Sequence, residues 1–354
     1  MHTFYRPEDF GHLADEIHRL ISEGTPFGVV RMPARDGFSD SYIVFRAEGE
    51  NPGEHAMRLR VKPWLSHTWL DLSAQITLDV PPMQVCSQST DYQVYTRMVD
   101  WTVRRLRQRG GKTVLARTVC GSFKELGIYG MCRLIESYFS TIASSTALTY
   151  LFWHPATGMW MGSTPELIME RTDRGCLSTM ALAGTMPRDA AEPWSEKNIA
   201  EHGIVADYME RRLGRSGIAF SRGERAELEA AAVKHLCTRF NSEYLQNYSR
   251  EGFDALVEAI QPTPALAGYP RREAIDEIHL LEPAHRYFYA GLINIADVRR
   301  NLTYGLIRCA HMNFKNWCVY TGSGITADSE AVAEWDETAA KASPLVQLLQ
   351  TAST

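Results

Sequence analysis

The chain has 354 residues, with 37 Lys and Arg against 42 Asp and Glu, a formal net charge of −5. That balance excludes nucleic-acid binding driven by bulk positive charge, and 45% apolar with 22% charged residues excludes disorder for most of the chain. At roughly 150 residues per domain the length fits two domains or one large one, and no run of about 18 apolar residues predicts a membrane span.

Residues 8–23 carry Phe10, Leu13, Ile17, Leu20 and Ile21 near one face, the spacing of an amphipathic helix. FGVVRM and SYIVFRA read as strands, and Pro81-Pro82 marks the end of this first region. Asp91 to Arg109 reads as a helix stopped by Gly110-Gly111, followed by a β-like KTVLARTV at 112–119. A second helix is expected over 124–142. TALTYLFWH, GMWMGST and ELIMER then read as successive short strands, and Cys176 to Ala183 as another. A long helix is expected from Pro193 or Trp194 to Leu213, and a short one from Glu224 to Ala231. AGLINIAD, TYGLIRCAHM and NWCVYTGSG predict three late strands, before a final helix from about Ser329 to Leu349. Antiparallel meanders separated by long helices argue for α+β, and so many short strands argue for two facing antiparallel β-sheets flanked by outer helices. Residues 1–90 are assigned to the N-terminal portion of that fold and 91–350 to its catalytic core.

The seven cysteines at 86, 120, 132, 176, 237, 309 and 318 include no CxxC pair. Their odd number and spacing disfavour a disulfide framework and a Cys-rich zinc site. Reduced thiols and an N-terminus without a signal-peptide segment place the expected location in the cytoplasm. RQRGGKT ends like a phosphate loop, but Leu106 stands where GxxxxGK[ST] needs glycine. RRLRQR lies at a helix end, where cations suit the macrodipole, and TGSG taken alone is a Gly-rich turn. In the final helix Glu334, Glu337 and Lys341 share a stripe, and the middle helix offers Glu201 with Lys197 one turn before. Each stripe alone reads as a solvated, ion-paired face. The sharper alternative is a divalent cation held between the two helices by carboxylates, since Mg²⁺ needs only one or two protein carboxylates.

GSTPELIME (162–170), MALAGT (180–185), EHGIVADYM (201–209), KHLCT (234–238), QPTPALAGYPRREA (261–274), YAGLI (289–293), IRCA (307–310) and TGSGITADSEAVAEWDETAAK (321–341) occur in this order. Together they resemble the chorismate-utilising enzymes: isochorismate, salicylate, anthranilate and aminodeoxychorismate synthases. The resemblance implies two facing antiparallel sheets with helices outside. It implies Mg²⁺ held by Glu201 and Glu337, with Glu334 beside them, neutralising the ring carboxylate of chorismate. Arg308 would grip the enolpyruvyl carboxylate through its planar fork, Gly322 and Gly324 would bring backbone N–H groups to the same anion, and Lys341 would add positive charge. Ala183, Gly184, Thr185, His235, Thr238, Ala265, Leu266 and Tyr289 would line the ring.

Lys112 distinguishes members of the family. KTVLAR resembles the KVVLAR of isochorismate and salicylate synthases, whose lysine activates water for attack at ring C2. Ala183 stands where aminodeoxychorismate synthases place a nucleophilic lysine, which excludes covalent addition there. Glu166 matches the general acid on the opposite side of the ring. The implied activity is an isomerase, isochorismate synthase, acting alone in menaquinone supply. Salicylate synthase, which also expels pyruvate, is the alternative, and an aminating synthase a more distant one. No nucleic acid, membrane or obligatory glutaminase partner is expected, and the chain is expected to be a monomer. The pattern departs from the family at Gln261, where histidine is usual, at Asn198, where an acidic residue is common, and at Asn294, where many relatives have glycine.

Overall fold

The structure, a computed structural model, describes residues 2–33, 41–47, 56–74, 82–142, 147–230, 233–245 and 248–353. Pro81, Thr146 and Ala231, which the sequence places at element edges, lie outside them.

A first strand, β1 (His2–Tyr5), precedes α1 (Phe10–Glu23), whose Phe10, Leu13, Ile17, Leu20 and Ile21 are all buried. Gly24 ends that helix at φ 72°, sending its N–H back to the Ile21 carbonyl. β2 (Phe27–Arg31), β3 (Tyr42–Arg46), β4 (Arg58–Lys62) and β5 (Leu70–Asp71) follow. Asp91 caps α2 (Tyr92–Arg109) by accepting from the Val94 N–H at 2.7 Å, and β6 (Lys112–Ser122) starts directly after Gly110 and Gly111. A Cβ at Gly111 would stand 2.0 Å from the Tyr269 carbonyl oxygen, so only glycine permits this entry to β6. α3 (Ile128–Ile142) leads to β7 (Leu148–His154), β8 (Gly158–Thr164), β9 (Leu167–Arg171) and β10 (Cys176–Pro187). Ser195 caps α4 (Glu196–Leu213), which precedes β11 (Phe220–Ala230), β12 (Val233–Tyr244) and α5 (Arg250–Ile260). The chain ends through β13 (Gly268–Tyr269), α6 (Arg271–Leu281), β14 (Leu292–Ala296), β15 (Asn301–Gly305), β16 (Cys309–Met312), β17 (Asn316–Ile325) and α7 (Ala331–Thr351).

Among the described residues the strands form two antiparallel sheets. One has nine strands in the order β1-β3-β2-β7-β8-β16-β17-β6-β13, the other eight in the order β11-β12-β10-β9-β15-β14-β4-β5. The main core lies between them: Val30, Ile43, Tyr150, Phe152 and Trp160 of the first pack in one cluster with Leu59, Val61, Met169, Met180 and Ile293 of the second. The alternate residues Val29, Val44, Leu151 and Met159 point the other way, into a second core under α1, α3 and α7. This period of two is what the pleat of a strand dictates when both faces are covered. The expected α+β fold of two sheets with outer helices is therefore the fold observed.

Two expected elements differ. Residues 224–230 form part of β11, paired with β12 from Phe220↔Ser242 to Ala230↔Val233, and not a helix. The helix-forming residues Glu, Ala and Arg are overridden by an available partner strand. Their exposed charges suit a sheet edge, where they discourage pairing with another chain. TYGLIRCAHM is likewise not one strand. Its first half ends β15 in the eight-stranded sheet and its second half is β16 of the nine-stranded sheet, with Arg308 at φ 51° between them. TGSG, read alone as a turn, lies within β17.

Candidate active site

Two crossings between the sheets build one wall of a cavity. The chain leaves β8 at Thr164 and enters β9 at Leu167, which puts Pro165 and Glu166 between the sheets. It makes the reverse passage from β15 to β16 through Leu306, Ile307 and Arg308. The passages are tied together: the Gly305 N–H donates to the Glu166 carbonyl at 2.9 Å, and the Thr164 hydroxyl donates to the Gly305 carbonyl at 2.6 Å. Arg308 holds a left-handed backbone that a non-glycine residue rarely adopts, here imposed by the passage.

The opposite wall comes from β6 and β17, paired as Val114↔Gly324 and Ala116↔Gly322. A Cβ at Gly324 would stand 2.2 Å from Glu201 Oε1 and 2.5 Å from Lys112 Cε, and one at Gly322 would meet the Tyr289 hydroxyl at 2.5 Å. The two glycines are thus the space into which site side chains fit. A bulge in β10 between Ala183 and Thr185, with Gly184 at φ 73°, supplies the third side.

Lys112, Glu166, Ala183, Gly184, Thr185, Glu201, His235, Ala265, Tyr289, Arg308, Gly322, Gly324 and Lys341 line this one cavity. Four residues named from the sequence do not. Thr238 lies behind the wall, its hydroxyl 2.9 Å from His202 Nε2. Leu266 is buried in the core, against Gly305. Glu334 and Glu337 line an adjoining cleft, together with Lys197 and Asn198. Asn294 is a buried knot elsewhere, donating to Asn301 and Thr303 and accepting from Arg60. Gln261 is buried at the end of α5.

The charges are arranged as a chain. Lys112 Nζ lies 2.8 Å from Glu201 Oε1; Lys197 Nζ lies 3.4 Å from Glu201 Oε2 and 2.9 Å from Glu334 Oε1. Lys341 meets Glu337 at 2.6 Å and also donates to the Gly322 carbonyl. Burial tends to raise the Glu201 carboxyl, but Lys112 and Lys197 outweigh it and hold it at about 2. For Glu334 burial prevails over Lys197 and keeps the carboxyl above its usual range, and its Oε2 makes no hydrogen bond. Carboxylates of α4 and α7, one with an unsatisfied buried oxygen, are a donor set that suits a hard divalent cation. Lys197, which the stripe on α4 brought into view without a role, is the counter-ion between them.

Glu166 behaves differently. Burial outweighs the pull of Lys112 and Arg308 and pushes its carboxyl up to about 8, so it is protonated at neutral pH. Burial, Arg308 and Lys341 drive His235 well below its ordinary value, leaving the ring neutral. Its Nδ1 then donates to the Gly184 carbonyl at 3.0 Å and its Nε2 accepts from Arg308. Burial also lowers Arg308, to about 10, against the opposing pull of Glu337 and Glu166. Sequence reasoning missed the apolar wall of Val114, Leu182, Pro165 and Ile307. Pro165, Leu182 and Ile307 lie inside the motifs GSTPELIME, MALAGT and IRCA, and that membership was the available signal.

Residues 50–350 match the profile of the family described as chorismate binding enzyme. The chain belongs to the chorismate-binding enzymes. It is 29% identical over 228 residues to isochorismate synthase MenF of Bacillus subtilis (strain 168), covering 61% of this chain and 48% of that relative. It is 30% identical over 210 residues to anthranilate synthase component 1 of Aquifex aeolicus (strain VF5), covering 54% of this chain and 41% of that relative. The chain therefore spans about half the length of these curated relatives. Its fold is shared with the solved menaquinone-specific isochorismate synthase MenF of Escherichia coli, at a TM-score of 0.64 and 19% identity over 98% of this chain and 84% of that one.

Proposed function

We propose that this chorismate-binding enzyme is an isochorismate synthase, an isomerase that adds water at C2 of chorismate and removes the C4 hydroxyl. The reading rests on a single observation: Lys112 and a neutral Glu166 line the same buried cavity. In this reading Lys112 first releases the proton of its ion pair with Glu201 to solvent; the free amine then takes a proton from water, and the water oxygen bonds to C2. The ring double bonds shift, the C4–O bond breaks, and Glu166 gives its proton to the departing hydroxyl. Water enters and water leaves, so substrate and product are isomers. Such acid–base pairs are worth on the order of 10²–10⁴-fold in rate for each partner.

Glu201 and Glu337, with Glu334 beside them, would hold Mg²⁺, which supplies positive charge for the ring carboxylate of the substrate. Arg308 grips the enolpyruvyl carboxylate, aimed by the neutral ring of His235, and the β17 glycines let backbone N–H groups approach the same anion. Ala183 leaves no amine for covalent addition, and no glutaminase subunit is required. Menaquinone supply, a cytoplasmic location and a monomeric state belong to the same proposal.

Product analysis tests it. Incubation with chorismate and Mg²⁺ is expected to yield isochorismate without pyruvate. Pyruvate with fluorescent salicylate would replace this reading by the lyase. Aminated product in ammonium would replace it by an aminating synthase, and unconsumed chorismate would remove it.

A further inference from the structure

Cys86, Cys120 and Cys318 are 34 and 198 residues apart in the chain, yet their sulfur atoms all lie within 4.8 Å of one another. The fold makes the cluster in two steps. Cys120 of β6 and Cys318 of β17 are direct partners across the antiparallel pair, so their side chains share one face. Cys86 arrives on an irregular segment pinned along β6. The Thr90 N–H donates to the Thr118 carbonyl, the Thr118 hydroxyl to the Gln88 carbonyl, and the Cys120 N–H to the Ser89 hydroxyl. Cys318 is buried while Cys86 and Cys120 are half-buried, so the cluster has a sealed side and an approach from solvent. Thr321 and Gly322 of the cavity wall lie three and four residues beyond Cys318 on β17, about 10–13 Å along an extended strand. The three thiols do not line the substrate cavity, and the cluster sits further along the strands that form its wall.

We infer that these three thiols form a second metal site, for a thiophilic d¹⁰ cation such as Zn²⁺, with a fourth position open to water. Zinc–sulfur bonds of about 2.3 Å in tetrahedral geometry set the sulfurs about 3.8 Å apart. Sulfurs already within 4.8 Å need a contraction of about 1 Å at most to reach that geometry. Binding forms three metal–sulfur bonds and releases the thiol protons to solvent, with no change in oxidation state. The ion would clamp the 82–91 segment, which leads into α2, to the β6–β17 pair near one end of the nine-stranded sheet. The absence of a CxxC pair disfavours a Cys-rich zinc site when the sequence is read locally, and the proposed site rests instead on strand pairing, which brings distant thiols together.

The test uses the full chain, reduced and freed of metal, then loaded with Co²⁺ and separately with Zn²⁺. A thiolate-to-cobalt charge-transfer band and one retained Zn²⁺ resistant to gel filtration are expected. The band separates this site from carboxylate ligands, which give none. Cys86→Ser and Cys120→Ser should each lose the band and weaken Zn²⁺ at least tenfold in competition with a chromophoric chelator. Cys176→Ser should change neither, and Zn²⁺ should raise the Tm of the parent chain but not of Cys86→Ser. Both test variants replace half-buried residues, and circular dichroism checks their folding. A chain that shows no band, a band that survives Cys86→Ser, or a Cys120–Cys318 disulfide forming on removal of reductant in place of metal uptake would each overturn the site.

Discussion

At Glu166 burial wins over two nearby cations, and the sign of the consequence can be worked out. The folded carboxyl titrates at about 8 against an ordinary value of 4.5. Between those values the folded state holds a proton that the unfolded state has lost, so this group's stabilising contribution is full below about pH 4.5 and falls as pH rises to about 8. Urea denaturation at several pH values should show that slope, and Glu166→Gln should flatten it. Turnover should fall above about pH 8 as the acid loses its proton. Lys112→Ala and Glu166→Ala should each lower isochorismate formation on the order of 10²–10⁴-fold with unchanged circular dichroism; an unchanged rate in either variant removes that residue from the chemistry. Gly324→Ala places a methyl group 2.2 Å from Glu201 Oε1, so it should lower activity steeply while the chain still folds.

Among elements, α7 matters because it presents Glu334, Glu337 and Lys341 together. Its position is set from the sheet. Arg117 of β6 donates to the Thr338 hydroxyl at 2.7 Å and lies 3.8 Å above the Trp335 ring, and Thr321 of β17 donates to the Thr338 carbonyl at 2.9 Å. A hydrogen bond and a buried cation–π contact together are worth about 2 kcal/mol. Arg117→Ala should lose about that much in urea denaturation and raise the Mg²⁺ concentration needed for half-maximal activity. The helices α1, α4 and α7 were legible because the spacing of apolar and charged residues along a helix is a local signal. Residues 224–230 were not, because their strand depends on a partner, β12, that local propensity does not register.

At the scale of the molecule, the first strands are not an appendage. β1, β2 and β3 form one end of the nine-stranded sheet, and β4 pairs with β14 from Arg58↔Ala296 to Lys62↔Leu292. Removing residues 1–90 would strip β14 of one of its two neighbours, take Phe45, Leu59 and Val61 out of the main core, and uncover Phe152, Trp160 and Ile293 of the same cluster. A chain of residues 91–354 should therefore be insoluble or molten, as near-ultraviolet circular dichroism would report. If the carboxylates of α4 and α7 hold Mg²⁺, chelation should abolish turnover and added Mg²⁺ restore it, whereas the fold should survive, because lysines also pair these carboxylates.

The sequence by itself determined the class of fold and the order of most elements, because strand alternation and helical stripes are written in neighbouring residues, while the residues of the cavity came from the resemblance of its ordered motifs to the chorismate-utilising enzymes. Tertiary structure alone decided where those residues meet. Glu166 and Arg308 face one cavity only because the chain changes sheets at both points, a passage that no local pattern encodes. The elevated pKa of Glu166 arises from burial between two layers, and the three converging thiols arise from strand register. Burial and register are properties of the assembled sheets, so they cannot be read one segment at a time.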